Sequence, residues 1–151
     1  LVGSEMCIRD RVIAMLAEIV AKGGCFLLGV GPTPDGIIEQ PVVERLHKVG
    51  EWLRKNGEAI YNTRITPNYN DGKTWFTANK DGKTLYAIYT PSDGETLPET
   101  ITWKGNLPKG KIVLLANGKK VKYHTEGEQV TITLPKGLAD GPLAFRFELK
   151  K

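Results

Sequence analysis

Cysteine, histidine and long apolar runs are all scarce in this sequence, and each scarcity closes off a class of function. Its 151 residues hold two cysteines, Cys7 and Cys25, and two histidines, His47 and His124. These are too few and too widely spread for the paired spacings of a zinc site or for a disulfide framework. No apolar run approaches the ~20 residues needed to cross a bilayer, and the first residues lack the apolar core and small-residue cleavage site of a signal peptide. Nor is charge of one sign concentrated anywhere. The net charge of +4 comes from lysines scattered over turns and strand ends, which argues for a solvated surface and against a nucleic-acid partner. No metal, cofactor, membrane or nucleic acid is expected. What remains, 40% hydrophobic and 25% charged residues, is the composition of a globular protein.

The pattern centres on GGCFLLGVGPTPDG, residues 23–36. Residues 25–30 are too short and too evenly apolar for an amphipathic helix, and Gly and Pro close the run on both sides, so it reads as a fully buried strand with an inert Cys25 thiol. Helical periodicity flanks it. Ile13, Leu16, Ala17, Ile19 and Val20 recur at helical spacing before Gly23 and Gly24. Afterwards Val42, Val43, Leu46, Val49, Trp52 and Leu53 line one face of a helix that Gln40 and Pro41 open and Asn56 and Gly57 end. A buried strand between two helices is the signature of a βα unit in a parallel sheet, whose ligands gather beyond the strand's C-terminal end, here residues 31–36.

Upstream of this lies LVGSEMCIRDR, residues 1–11, which fits neither period. It matches, codon by codon through Asp10, the translation of a transposase adapter used in sequencing libraries. The expectation is therefore that residues 1–11 are adapter-derived and carry no fold, and that the natural gene continues upstream of Val12. Beyond Tyr61 the period changes. The runs WFTANK, TLYAIYT, TITWK, KIVLLA, KVKYH, QVTITL and PLAFRFEL alternate with turns such as Asp81-Gly82 and Asn117-Gly118, the strongest short-range hairpin signals. Some seven strands in roughly ninety residues, with no helix among them, predict an antiparallel β-sandwich over residues 63–151. By contrast, residues 12–62 expose more apolar surface than two helices and a strand can bury, so they read as the end of a larger α/β domain.

Candidate chemistry is thin. The loop GVGPTPDG fits neither the P-loop nor the dinucleotide fingerprint, because Pro32 and Pro34 remove backbone donors a phosphate would need. Asp35 and Glu39 are the carboxylates at the strand's exit; Asp before Gly in a proline-rich turn more often bonds its own backbone. His47 falls on the polar side of a helix and His124 in a lysine-rich strand, neither with ligand spacing. Trp52 reads as core. Trp75, Trp103, Tyr86, Tyr89 and Tyr123 fall on strands, where they could build a sugar-stacking platform or simply fill the core. No Ser-His-Asp set or paired acid signature is present. Spacing alone names no reaction.

Resemblance says more. Residues 20–64, VAKGGCFLLGVGPTPDGIIEQPVVERLHKVGEWLRKNGEAIYNTR, resemble the stretch that closes the (β/α)8-like catalytic barrel in α-L-fucosidases of glycoside hydrolase family 29. The family's features are matched by Lys22 to Gly24, the apolar Phe26 to Leu28, Gly31-Pro32, Asp35-Gly36, Gly50 to Leu53, and Asn56 to Tyr61. TWFT at Thr74, LYAI at Leu85, KIVLL at Lys111 and ITLP at Ile132 are similar to the family's C-terminal β-sandwich. The family usually has Asn where Cys25 and Gly29 stand, so two side-chain amides are absent here.

The resemblance implies a parent that hydrolyses α-L-fucosides with retention, acting on fucosylated oligosaccharides or glycoconjugates and exported to periplasm or medium. It also implies that the Asp nucleophile, the acid/base carboxylate and the sugar-gripping histidines lie upstream of Val12. No catalytic, cofactor or metal residue is therefore assigned, and the chain itself is expected to be inactive. The fold expectation is α/β plus all-β: the terminal βα unit of a truncated barrel (residues 12–62) followed by the sandwich. The alternative is a non-catalytic carbohydrate-binding β-sandwich module.

Overall fold

In the computed structural model of the chain, residues 5–150 are described. Two helices, α1 (Glu5–Ala21) and α2 (Gln40–Asn56), and a 3-10 turn at Gly57–Ala59 precede eight strands. These are β1 (Asn70–Asp71), β2 (Thr74–Ala78), β3 (Thr84–Tyr89), β4 (Thr100–Lys104), β5 (Pro108–Leu114), β6 (Lys119–Glu126), β7 (Gln129–Thr133) and β8 (Leu143–Leu149). All strand pairs are antiparallel, in the spatial order β1-β2-β3-β8-β5-β6-β7-β4.

The seven sequence runs each form a strand, and the turn residues do what their chemistry allows. The carboxylate of Asp81 accepts from the Lys83 N–H at 2.8 Å, and the Asn117 side-chain oxygen accepts from the Lys119 N–H at 2.9 Å. Both are side-chain turns of the kind that Asp and Asn favour. The two-residue β1 has no hydrophobic run to announce it.

A sandwich of two separate sheets was the expectation; the strands instead form one continuous order that curls around its core. The bend falls in β6. Its first residues pair with β5, Val121 opposite Ile112, whereas Lys122–Glu126 pair with β7. The two ends of the order, β1 and β4, are tied by side chains. Asp71 accepts from the Lys104 N–H at 2.6 Å, Asn68 donates to the Lys104 carbonyl, and Asn106 donates to the Asn68 carbonyl. The result is a nearly closed barrel-like wall. Gly105 sits at this closure with φ of 77°, and a Cβ there would stand 2.5 Å from the Asn68 amide nitrogen, so only glycine fits. A second kink lies where the β5–β8 register shifts between Lys109 and Ile112, around Gly110 with its φ of 81°.

Strand alternation sorts two cores. In β3, Leu85, Ala87 and Tyr89 face inward with Phe145 and Phe147 of β8, Ile112 and Leu114 of β5, and Trp103, Val130 and Ile132 from β4 and β7. The other face of the same strands presents Tyr86, Ile88 and Ala144, which pack against Ile13 and Ala17 of α1 and Trp52 of α2. Buried on both faces, β3 reads almost continuously apolar. The helices are therefore covered by the sheet. The Trp52 indole N–H donates to the Pro142 carbonyl at 2.8 Å, and the Thr77 hydroxyl donates to the Ala59 carbonyl at 2.7 Å.

Two expectations are corrected. Residues 25–30 form no strand: none of the described strands pairs with them, and Leu27 is 93% exposed. A strand apolar on both faces needs partner strands and covering helices, and this segment has neither in the described structure. The segment thus supplies no parallel βα unit, and Cys25 is exposed rather than buried. The second correction concerns residues 1–11, expected to carry no fold. Residues 1–4 lie outside the described residues, but α1 begins at Glu5 and runs unbroken into the predicted helix. Arg9 and Arg11 extend from it to the Asp140 carbonyl and the Asp93 carboxylate. The side chain of Cys7 lies outside the described residues.

Candidate functional site

The stretch that organises the sequence, residues 23–36, leaves α1 and crosses open surface. The α1 end is closed by the Gly24 N–H bonded to the Ile19 carbonyl at 2.8 Å. Beyond the exposed apolar segment the chain folds on itself. The Gly36 N–H donates to the Thr33 carbonyl and the Thr33 N–H to the Ile37 carbonyl, both at 2.8 Å, while the Thr33 hydroxyl accepts from the Ile37 N–H at 3.2 Å. This is the proline-shaped turn expected of GPTPDG. Asp35 and Glu39 are both exposed, and no group of histidine, cysteine, aspartate and glutamate among the described residues could hold a metal ion. His47 and His124 are exposed on α2 and β6; His124 has Glu126 for a neighbour at 4.0 Å.

The aromatic platform is not assembled. Trp103, Tyr86 and Tyr89 are buried. Trp103 stacks on Phe147 (centroids 5.8 Å) and meets Phe76 edge-on (5.5 Å) inside the core. Trp75 is half-buried with the Lys22 ammonium 5.4 Å above its ring, and the Tyr123 hydroxyl is spent on the Gly110 carbonyl. These residues fill and brace the wall.

The polar cluster that sequence reasoning missed is Glu58, Tyr86 and Arg146. Glu58 opens outward from the 3-10 turn after α2, and its Oε1 accepts from the Tyr86 hydroxyl at 3.0 Å. One Arg146 guanidinium nitrogen donates to both of its carboxylate oxygens, at 3.0 and 3.1 Å. Burial, then the hydrogen bond to Glu58, push the Tyr86 phenol up to about 12, because its charged form would lose solvent and face a carboxylate. The phenol therefore stays a neutral donor across the physiological range. A signal for this cluster was present: Arg146 is the charge that interrupts PLAFRF at an outward-facing position. A retaining glycosidase pair needs two carboxyl groups about 5 Å apart. Glu58 is instead matched with a cation and a phenol, the chemistry of a clamp between the helical turn and the sheet.

Residues 3–58 match the family model described as alpha-L-fucosidase. The chain is similar to rat plasma alpha-L-fucosidase, 34% identical over 134 residues that cover 84% of this chain and 28% of that protein. It is likewise 34% identical over 139 residues to human tissue alpha-L-fucosidase, covering 87% of this chain and 28% of that one. Among solved structures, the Thermotoga maritima alpha-fucosidase in complex with a mechanism-based inhibitor superposes with a TM-score of 0.76 at 30% identity, covering 94% of this chain and 34% of that one. Alpha-L-fucosidase isoenzyme 1 from Paenibacillus thiaminolyticus does so with a TM-score of 0.77 at 26% identity. The chain spans just over a quarter of the length of the curated relatives it matches, and about a third of these solved chains. By sequence and by fold, it is related to the α-L-fucosidases.

Proposed function

We propose that the 151 residues are the C-terminal part of an α-L-fucosidase of glycoside hydrolase family 29, and that the whole protein releases α-L-fucose from oligosaccharides or glycoconjugates with retention of configuration. The observation that carries this reading is the likeness to fucosidases running through both the helices and the β wall. A solved relative in complex with fucose supports the substrate class. In this reading residues 20–64 close the catalytic barrel, and the exposed segment 25–30 is its last strand. Its burial is then supplied by barrel strands of the whole protein. The nucleophile and the acid/base carboxylate stand outside these residues, which leaves the 151-residue chain without hydrolytic activity.

Extension of the gene upstream of Val12 tests the reading directly. The longer protein is expected to release nitrophenol from an aryl α-L-fucoside and to be inhibited by fucose, while the 151-residue chain releases none. Turnover by the short chain, or an upstream sequence without barrel strands bearing an Asp and a second carboxylate, overturns it. The same sequencing decides whether residues 1–11 are an adapter translation or part of the natural gene.

A polar reading of the aromatic side chains as a carbohydrate-binding platform is not favoured, since Tyr86, Tyr89 and Trp103 are buried.

A further inference from the structure

A different feature lies on the outer face of the wall, where β8, β5 and β6 run side by side. Lysines that are scattered along the sequence are gathered there by the strand register. Arg146 of β8 stands opposite Val113 of β5, and Val113 opposite Lys120 of β6. Ile112 and Val121, the neighbouring pair, belong to the inner core, so alternation turns Lys111 and Lys122, the residues beside them, outward. Lys109, two residues before Lys111, shares that face and stands opposite Glu148. All four lysines are exposed.

Among the described residues these four lysines form no ion pair. Arg146 spends one guanidinium nitrogen on Glu58, and among the described residues its Nε and Nη2 make no hydrogen bond. That leaves a fork of donors of the kind that matches an oxyanion. The five cations share their surroundings with two carboxylates, Glu58 and Glu148, and Glu58 is already bonded to Tyr86 and Arg146. Farther along β6 the charges balance, with the Glu126 carboxylate 4.0 Å from His124 Nε2. Like charges set across adjacent strands destabilise a sheet, and an anionic partner relieves such a surplus.

Beside the cations a groove of about 540 Å³ runs past Arg146, Lys111 and Val113, and its lining adds Asn79 and Thr84, neutral groups that can bond hydroxyls. The aromatic side chains of that lining, Tyr86 and Phe147, are 5% and 2% exposed, so nucleic-acid bases find no ring to stack on. We propose that this face binds an acidic polysaccharide, whose carboxylate or sulfate groups meet Arg146, Lys109, Lys111, Lys120 and Lys122 while its hydroxyls meet Asn79 and Thr84. The choice of a glycan as the bearer of the charge rests on the fucosidase reading; the cationic face does not.

The test is calorimetric titration of the 151-residue chain with polygalacturonate and, separately, with dextran sulfate, alongside uncharged dextran and a short DNA duplex. Saturable binding to at least one charged polysaccharide is expected, tighter than to the DNA and weakening as salt is raised, because paired counterions are released. Which of the two binds distinguishes a carboxylate from a sulfate. Lys111→Gln combined with Lys122→Gln should weaken binding about fivefold or more at low salt, as the loss of two exposed charge contacts. Lys55→Gln combined with Lys136→Gln removes the same charge from exposed positions on α2 and after β7, and should change binding less than about twofold, since distant charges are screened. Equal weakening by the two pairs would show net charge alone at work and overturn the proposal. So would absence of binding at low salt, equal binding of uncharged dextran, or tighter binding of the DNA. No hydrolysis enters the measurement, so failure here leaves the nitrophenol assay of the longer protein to judge the fucosidase reading by itself.

Discussion

Arg146 on β8 holds both carboxylate oxygens of Glu58 through one guanidinium nitrogen, joining the end of the helical region to a strand 88 residues further along. Both side chains are roughly half exposed, 42% and 45%, so water screens the pair and its worth is at the modest end for ion pairs. Glu58→Gln or Arg146→Ala should each lower stability by about 1 kcal/mol. A double-mutant cycle read by urea denaturation should show that the two losses are not additive, because each variant removes the same contact. Additive losses would mean that the two residues act separately.

The Tyr86 phenol shares this carboxylate, and the sign of its pH effect follows from its shift to about 12. Its pKa is raised in the folded chain above the ordinary value of about 10, so below that value both folded and unfolded phenols are protonated and nothing is lost. Between about 10 and 12 the unfolded chain sheds this proton first, and stability falls as pH rises. Alkaline titration of phenolate absorbance should show Tyr86 ionising late, together with unfolding, beside Tyr89, which burial also raises. Tyr86→Phe should remove that late step and flatten the loss of stability above pH 10. If the late step survives the substitution, it belongs to another tyrosine.

Much of the β part was legible because its signals are local. Hairpin turns at Asp81-Gly82 and Asn117-Gly118 and alternation in LYAIY and LAFRF depend only on neighbours along the chain. The helix boundaries at Gln40 and Asn56 were legible for the same reason, through Pro41 and the apolar stripe ending at Leu53. What was not legible is the curl of the strands into a single wall. It depends on β6 changing partners midway and on Asn68, Asp71 and Asn106, polar residues whose role exists only once β1 and β4 are brought together. Residues 25–30 failed in the opposite sense. Their apolar character reports what a strand would bury, but burial requires partners that local pattern does not supply. Asn56 reads from its helix position as a helix end, and its burial at 2% exposure depends on packing that local pattern does not show.

Trp103 is the residue on which the inner core depends most. It is 1% exposed and lies between Phe76 and Phe147. Truncation of a buried aromatic of this size costs about 3–5 kcal/mol, a large part of the roughly 5–15 kcal/mol available to a domain. Trp103→Ala should therefore shift the urea midpoint far down or prevent folding altogether, whereas Trp103→Phe, which keeps ring contacts, should lose less than half as much. Equal losses would show that the indole N–H, and not the packing, matters at this position.

Residues 25–38 should make the isolated chain self-associate. Leu27, Ile37, Leu28, Val30 and Ile38 are all exposed, residues 23–34 carry no charged side chain, and the backbone of 25–30 lies in no described strand ladder. An unpaired, uncharged apolar segment is a template for pairing with other chains, and natural edges are usually blunted with charge. Leu27→Lys places a charge at the most exposed of these positions, where no packed contact is sacrificed. It should shift light scattering at high concentration toward the monomer and leave the thermal midpoint within about 0.5 kcal/mol of unchanged stability, as for ordinary surface substitutions. Cys25, exposed in the same segment, gives a second readout. Its thiol should react with a chromogenic disulfide in native buffer, lose one equivalent in Cys25→Ser, and become slower as concentration rises and the segment is covered. A rate independent of concentration, with scattering unaltered by Leu27→Lys, would place the association on another surface.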